Sequence, residues 1–314
     1  MNQDNKYLTL NRFLRSAFGE RVQKIPLDAG LTCPNRDGSK GRGGCIFCDA
    51  SGSGTGASKS GRDIRSQMKT GMEWAAMRYR ARKFIAYFQS FSNTYGPAEK
   101  LKALYSQALA GPEVVGLAIG TRPDCVDMER LDLIARTGSG RMVWMEYGLQ
   151  SASDRTLAFI NRGHTVSDFV SAVELTRRYG FLTCAHIIFG LPGETSAEME
   201  NTVNLLAELG VEGVKFHQLY IVEGTPLHRL YSEGVYRPMA QDEYSEMVAR
   251  ALRVLPRSTV IHRLTGDPPA GKTIVPAWSS DKPGTISLIQ KKLNPDITAS
   301  NFAEDARHQG LRRI

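Results

Sequence analysis

Two periodicities alternate along the chain. Apolar and β-branched residues run nearly without interruption at 22–29, 84–90, 114–120, 142–149, 182–190 and 214–222. Between these runs, apolar residues return every three to four positions, at 98–110, 128–136, 153–160, 167–179 and 196–209. Strands apolar on both faces, alternating with amphipathic helices, predict a parallel sheet covered on both sides. Six such βα units fit a doubly wound sheet or a barrel, complete or partial. Beyond about residue 225 the alternation decays into a further helix at 240–254, a possible strand at 259–264 and an irregular tail. That part reads as an extension of the barrel. The expected organisation is a main unit at 1–225, including the N-terminal segment 1–21, and a C-terminal extension at 226–314.

Composition narrows the class. The apolar fraction of 41% and charged fraction of 23% are those of a globular protein of 314 residues. No run of 18 apolar residues and no signal-peptide pattern is present, so the expected address is the cytoplasm, with no membrane partner. Five cysteines in such a chain point to metal or chemistry in place of a disulfide framework. The net charge of +8 is uneven: residues 1–100 hold 17 Lys+Arg against 8 Asp+Glu, and the rest hold 23 against 24. Lys59, Arg62, Arg65, Lys69, Arg78, Arg80, Arg82 and Lys83 concentrate it. That segment is either a solvated helix face or a contact for a polyanion. Trp74 and Tyr79 within it would stack on bases or pack a helix.

The chemistry lies after the first run, in TCPNRDGSKGRGGCIFC. Cys45 and Cys48 are spaced C-x₂-C, with Cys33 12 residues before Cys45. Loops leaving the C-terminal ends of barrel strands build active sites, so these thiols fall where chemistry is expected. Three thiolates suit zinc or a cubane iron–sulfur cluster. Structural zinc wants a fourth protein ligand, and none is near in sequence; a cubane on three cysteines leaves one iron open. Cys125 and Cys184 read as core thiols.

With the motifs EYGLQS, FINRGH and HIIFGLPGET in order after the cysteines, the stretch 27–226 resembles the radical S-adenosylmethionine (SAM) superfamily. Within it, the chain is similar to the catalytic subunit of elongator and to oxygen-independent coproporphyrinogen oxidase. The resemblance implies a partial (β/α)6-type TIM barrel, an α/β fold, with a C-terminal extension. It implies a [4Fe–4S] cluster on Cys33, Cys45 and Cys48 that reductively cleaves SAM to a 5′-deoxyadenosyl radical. It also implies an external electron donor such as flavodoxin or ferredoxin. By the same resemblance Gln150 meets the SAM ribose, Arg162 meets its carboxylate, and Ile188, Gly190 and Glu194 form the adenine-binding turn. The family's GGE motif is replaced by FQSFSNTYG, so Gln89, Ser90, Ser92 or Asn93 would receive the amino group. His186 stands where the relatives place a ribose-binding aspartate.

Other polar residues admit two readings each. Arg122 and Asp124 form a structural pair or touch substrate; Glu146, within an apolar strand, is an inward functional carboxylate or half of a buried pair. His217, Gln218 and Tyr220 line the interior or form a core network, and His262, Arg263 and Asp267 hint at a substrate site. The resemblance implies modification of the wobble uridine side chain of tRNA, for example carboxymethylaminomethyl to aminomethyl. The alternatives are radical chemistry on a small molecule such as a porphyrin precursor, and a zinc-stabilised RNA-binding protein.

Overall fold

The computed structural model describes residues 6–49, 52, 63–268 and 274–294. The loop expected at 51–61 lies outside the described residues, apart from Gly52. The alternation seen in the sequence becomes β2 (Val22–Leu27), α2 (Ile64–Tyr79), β3 (Lys83–Phe88), α3 (Ala98–Ala108), β4 (Val114–Thr121), α4 (Met128–Thr137) and β5 (Met142–Gln150). It continues with α5 (Asp154–Phe159), α6 (Val166–Arg178), β6 (Leu182–Phe189), α7 (Ser196–Leu209) and β7 (Gly213–Gln218). Local chemistry sets the helix starts. Thr165 with Asp168, and Thr195 with Glu198, form capping boxes, and Asp63 and Asp127 cap α2 and α4.

The sheet is larger than the six expected strands. It has eight, all parallel, in the order β1-β9-β7-β6-β5-β4-β3-β2, and forms an α/β half-barrel. The strand anticipated at 259–264 is β9 (Val260–Arg263), inserted between β7 and β1. The two-residue β1 (Leu8–Thr9) pairs with β9 in the register Leu8↔Val260; it is too short to leave a periodic signal. The run at 214–222 is not one strand. It breaks after Gln218, and β8 (Ile221–Val222) pairs antiparallel with β10 (Ile274–Val275) outside the main sheet. At the break stands Gln218, whose buried Oε1 accepts from Thr265 Oγ1 at 2.8 Å and Gly266 N at 2.7 Å. That is the core-network reading of this residue.

Alternate residues of the strands serve two different cores. Ile25, Phe88, Ile119, Tyr147, Ile187 and Phe216 face the outer helices through Leu101, Leu131, Phe169, Val203 and Val248. On the inner face Val22, Ile85, Ala118, Trp144, Cys184 and Val260 pack with Leu14 of α1 (Leu10–Phe18). Phe13 of α1 meets the Trp144 ring edge-on at 5.8 Å. The helix therefore plugs the end of the half-barrel opposite the strand C-termini. Among the described residues no helix is long and apolar enough to cross a membrane.

Leu14→Ala removes a plug residue that is 2% exposed. It is expected to destabilise the fold by about 2–4 kcal/mol, read from the midpoint of a urea titration at unchanged m-value.

Candidate active site

The cysteine segment leaves β2 and is folded around Asn35. Its own amides close it: Arg36 N donates to Cys33 O at 2.8 Å, Gly44 N to Asn35 O at 2.9 Å and Cys48 N to Cys45 O at 3.0 Å. It is then fastened to the turn after α5. Asn35 Nδ2 donates to Asn161 O, Asn161 Nδ2 to Gly44 O at 2.8 Å and Ile46 N to Ile160 O at 3.1 Å. Arg122 locks the same turn from β4, donating to Arg162 O at 2.5 Å and Gly163 O at 2.9 Å. Its other face holds Asp124 through two bonds of 2.9 and 2.8 Å, and Lys40 of the cysteine segment reaches Asp124 at 2.5 Å. With Arg122 only 1% exposed, the Arg122–Asp124 pair is structural: a clamp on the site.

All three segment thiols are free; Cys45 is buried, and Cys33 and Cys48 are half-buried. Burial pushes the Cys48 thiol up, and the nearby Arg36 guanidinium pulls it back down. Arg162 Nη1 stands 3.6 Å from Cys45 Sγ and Asn35 Nδ2 stands 3.9 Å from it, so two donors point at this sulfur. Among the described residues no three His, Cys, Asp or Glu side chains converge as ligands of one ion, the arrangement the zinc alternative needs. An all-thiol set in a cationic shell fits an iron–sulfur cluster, whose several metal atoms let its ligands stand farther apart. Cys184 is a wholly buried core thiol as expected, whereas Cys125 is half-buried, its thiol pushed up to about 11 by burial.

Gln150 and Arg162 are brought together over one glycine. A β-carbon on Gly148 would stand 2.7 Å from Gln150 Nε2 and 2.5 Å from Arg162 Nη2. The register shifts between Gly148 and Gln150, and Gln150 itself takes φ +77°, a costly backbone for a non-glycine residue. Arg162 donates Nη2 to Gly148 O at 2.8 Å and Nε to His164 Nε2 at 3.0 Å. With His164 Nε2 accepting, Nδ1 carries the proton toward Thr165 O at 3.1 Å. Burial and the Arg162 charge hold His164 neutral, its pKa pushed down to about 3.

The remaining expected residues are dispersed. Gly190 directly follows β6, its carbonyl accepting from Tyr236 Oη at 2.6 Å, and Glu194 follows in the turn, accepting from Ser151 Oγ. Burial raises the Glu194 carboxyl to about 7. Gln89 directly follows β3, its amide bonded to Leu27 O at 3.2 Å. Ser92 is wholly buried, its hydroxyl bonded to Thr121 Oγ1 at 2.8 Å and receiving Arg122 N at 3.3 Å. Asn93, equally buried, donates to Ser90 O and Gly120 O. Ser92 is committed to the core, whereas Asn93 keeps its buried Oδ1 without a hydrogen-bond partner.

His186 lies deeper, in a charged layer that sequence reasoning only half found. Its Nε2 is 2.9 Å from Glu146 Oε2, and Glu146 also pairs with Lys24 and Lys215. Burial alone would raise the Glu146 carboxyl, but the two ammoniums hold it well below the usual range. Burial lowers Lys215 to about 8, His186 to about 4 and His262 to about 3. At pH 7 the histidines are neutral and Lys215 is mostly charged. The anticipated Glu146 is thus half of a buried pair. Lys24 and Lys215 had a usable signal: each is the one lysine of a largely buried strand, Lys24 two positions from the inward Val22.

Comparison with known proteins bears on the same residues. The sequence profile of the radical SAM superfamily matches residues 36–206, and that of the radical SAM C-terminal domain matches 211–295. The uncharacterised protein YtqA of Bacillus subtilis (strain 168) is 39% identical over 93% of this chain and 91% of its own. The tRNA uridine(34) acetyltransferase of Methanocaldococcus jannaschii is 29% identical over 50% of this chain, and this chain spans 29% of its length. The structure of Elp3 from Methanocaldococcus infernus, lacking its N-terminus, superposes with a TM-score of 0.67 at 18% identity, covering 86% of this chain and 63% of that one. That likeness is one of fold.

Arg162→Ala is expected to weaken SAM binding about 10- to 150-fold, roughly 1.5–3 kcal/mol, by titration of the cluster-loaded protein. Gly148→Ala, which displaces both side chains above it, is expected to do the same without touching either. Glu194 yields a pH signature in the SAM-free protein. Its native pKa of about 7 lies above the ordinary 4.5, so the native state binds the extra proton between these values. Stability therefore falls as pH rises from about 4.5 to 7, and the cost is complete above 7. Glu194→Gln is expected to stabilise by about 1–2 kcal/mol at pH 8 and to change little at pH 4, by thermal unfolding.

Proposed function

The chain belongs to the radical SAM superfamily, whose enzymes use a [4Fe–4S] cluster and SAM, and we propose that it modifies the side chain of the wobble uridine of tRNA. In this reading Cys33, Cys45 and Cys48 hold the cluster, and Arg162 and Gln150 orient SAM, with the turn from Gly190 to Glu194 beside its adenine. Gln89 is the replacement for the missing amino-group motif. When bound, the pair supplies a 5′-deoxyadenosyl radical at the strand C-termini. The protein's own part is to hold the reacting groups over Gly148, close the far end with α1, and present the nucleoside. The reaction would be carboxymethylaminomethyl to aminomethyl, in the cytoplasm, the priming electron coming from flavodoxin or ferredoxin. Loss of a hydrogen atom from the methylene beside the carboxylate and of one further electron, returned to the cluster, would leave an imine that water splits into the amine and glyoxylate.

Helix α2 carries the nucleic-acid half of the proposal. Arg65 and Lys69 are exposed on one side of it, Arg78 on the side of Trp74 and Arg80 just past its end, and none of the four has an ion pair among the described residues. Trp74 is 43% exposed and meets Tyr79 edge-on at 5.2 Å. Cations without acidic partners beside an open aromatic suit a sugar–phosphate backbone better than they suit a self-contained helix. The similarity to a tRNA uridine(34) acetyltransferase agrees with this choice.

Mass spectrometry of tRNA nucleosides from cells with and without the gene tests the reading. The expected result is loss of the aminomethyl form and accumulation of carboxymethylaminomethyluridine; an unchanged wobble-uridine profile refutes it. Replacing Arg65, Lys69 and Arg78 by alanine is expected to weaken tRNA binding about tenfold or more. It should also flatten the slope of log K against log salt by about one for each phosphate no longer neutralised, leaving SAM affinity alone.

A further inference from the structure

The inner face of the sheet holds more positive charge than it neutralises. Lys24, Lys215 and Arg263 come from β2, β7 and β9, and Lys215 and Arg263 are register partners. Glu146 pairs with both lysines. Among the described residues no Asp or Glu forms an ion pair with Arg263, and its Nε is buried without a hydrogen-bond partner. Its positive field nonetheless reaches Tyr87, His186, Lys215 and His217, so the guanidinium belongs to this layer. His186, His217 and His262 are neutral at pH 7. Three cations therefore face one carboxylate, an excess of two charges, with Lys215 buried and Lys24 and Arg263 half-buried, and charge so placed is costly until a counter-ion arrives.

We propose that Lys24, Lys215 and Arg263 form an anion-binding floor that takes the carboxylate of the substrate's own side chain. The carboxymethyl group of the modified uridine is that carboxylate, an identification that rests on the function proposed above. Three features favour a carboxylate. Lys215 Nζ is bonded to Tyr87 Oη at 2.9 Å and lies 4.3 Å from the centre of that ring, and Lys24 lies 5.8 Å from the Trp144 ring. Aromatic walls on this scale admit a slender planar group more readily than a bulky, doubly charged phosphate. The carboxylate of SAM already has a cation of its own, Arg162, beside Cys45. Tyr87, its own proton held firmly by burial, offers a neutral hydroxyl beside the lysine. The floor would hold the glycine-like end of the side chain beneath the cysteine segment, leaving its methylenes nearer the strand C-termini.

The test compares two free nucleosides, 5-carboxymethylaminomethyluridine and 5-aminomethyluridine, titrated calorimetrically into the cluster-loaded protein with SAM present. The wild type is expected to bind the carboxylate form at least about tenfold more tightly. Arg263→Gln, which strips no carboxylate of a partner, and Lys215→Met are expected to erase most of that preference. Affinity for SAM and for the aminomethyl nucleoside should stay within about twofold. Lys24→Arg, which keeps the charge, should retain the preference, and it provides a second folded variant if Lys215→Met leaves Glu146 too exposed to fold. Equal affinity of the wild type for the two nucleosides overturns the proposal. So does a preference that survives Arg263→Gln, or a loss confined to SAM, which would mean that the floor reads the carboxylate of SAM. The tRNA reading is judged separately by the cellular nucleoside profile: an unchanged profile with the preference intact removes that reading and keeps the floor.

Discussion

Glu146 has no exposed side-chain surface, and a carboxylate so placed remains ionised only because two ammoniums reach it. Lys24 comes from β2, at one edge of the sheet, and Lys215 from β7, two strands to the other side of β5. These contacts join strands that share no backbone ladder. They therefore act across the lumen, where hydrogen bonds between neighbouring strands cannot. His186 and His262 complete the ring of partners as neutral donors or acceptors. Removing Glu146 would strand two cations; removing either lysine would leave the carboxylate a single ammonium partner. The inner layer therefore couples β2, β5 and β7 through side chains alone.

Above that layer the site is held by the backbone as much as by side chains. Asn35, Asn161 and Arg122 spend their polar atoms on carbonyls of the cysteine segment and of the turn at 160–163. Three stretches of chain far apart in sequence are thereby fixed to one another. The strained Gln150 and the bare Gly148 are the cost of bringing an amide and a guanidinium to the same spot. Such rigidity suits a reaction whose reactive species must meet a single bond and be kept from others.

Much of this is legible in the sequence, for physical reasons. Long apolar strands and periodic helices announce themselves, and the periodicity marks Ser196–Leu209 at both ends. The cysteine spacing and the order of later motifs indicate the chemistry. What escapes depends on partners remote in the chain. β1 is two residues long and exists because β9 is there to pair with it. Lys24 and Lys215 belong to no motif, and a lone lysine usually lies at the surface; only the shared parity of strands facing a lumen brings them to Glu146. Arg122 and Asp124 suit substrate or structure equally until the carbonyls that the guanidinium holds are visible. Ser92, a candidate from its position in a motif, is core because neighbouring hydroxyls claim it.

The pairing of Leu8 with Val260 also sets an order of events during synthesis. Strand β1 leaves the ribosome long before it can find its place, because its neighbour is encoded some 250 residues later. Until then the nascent half-barrel has an open edge beside β7 and lacks His262 and Arg263 from its interior. Contacts of such long sequence separation are slow to form and leave unpaired strand exposed meanwhile. Metallocentre assembly on the thiols, which emerge early, thus has a long interval in which the loop is available but the chamber beneath it is unfinished.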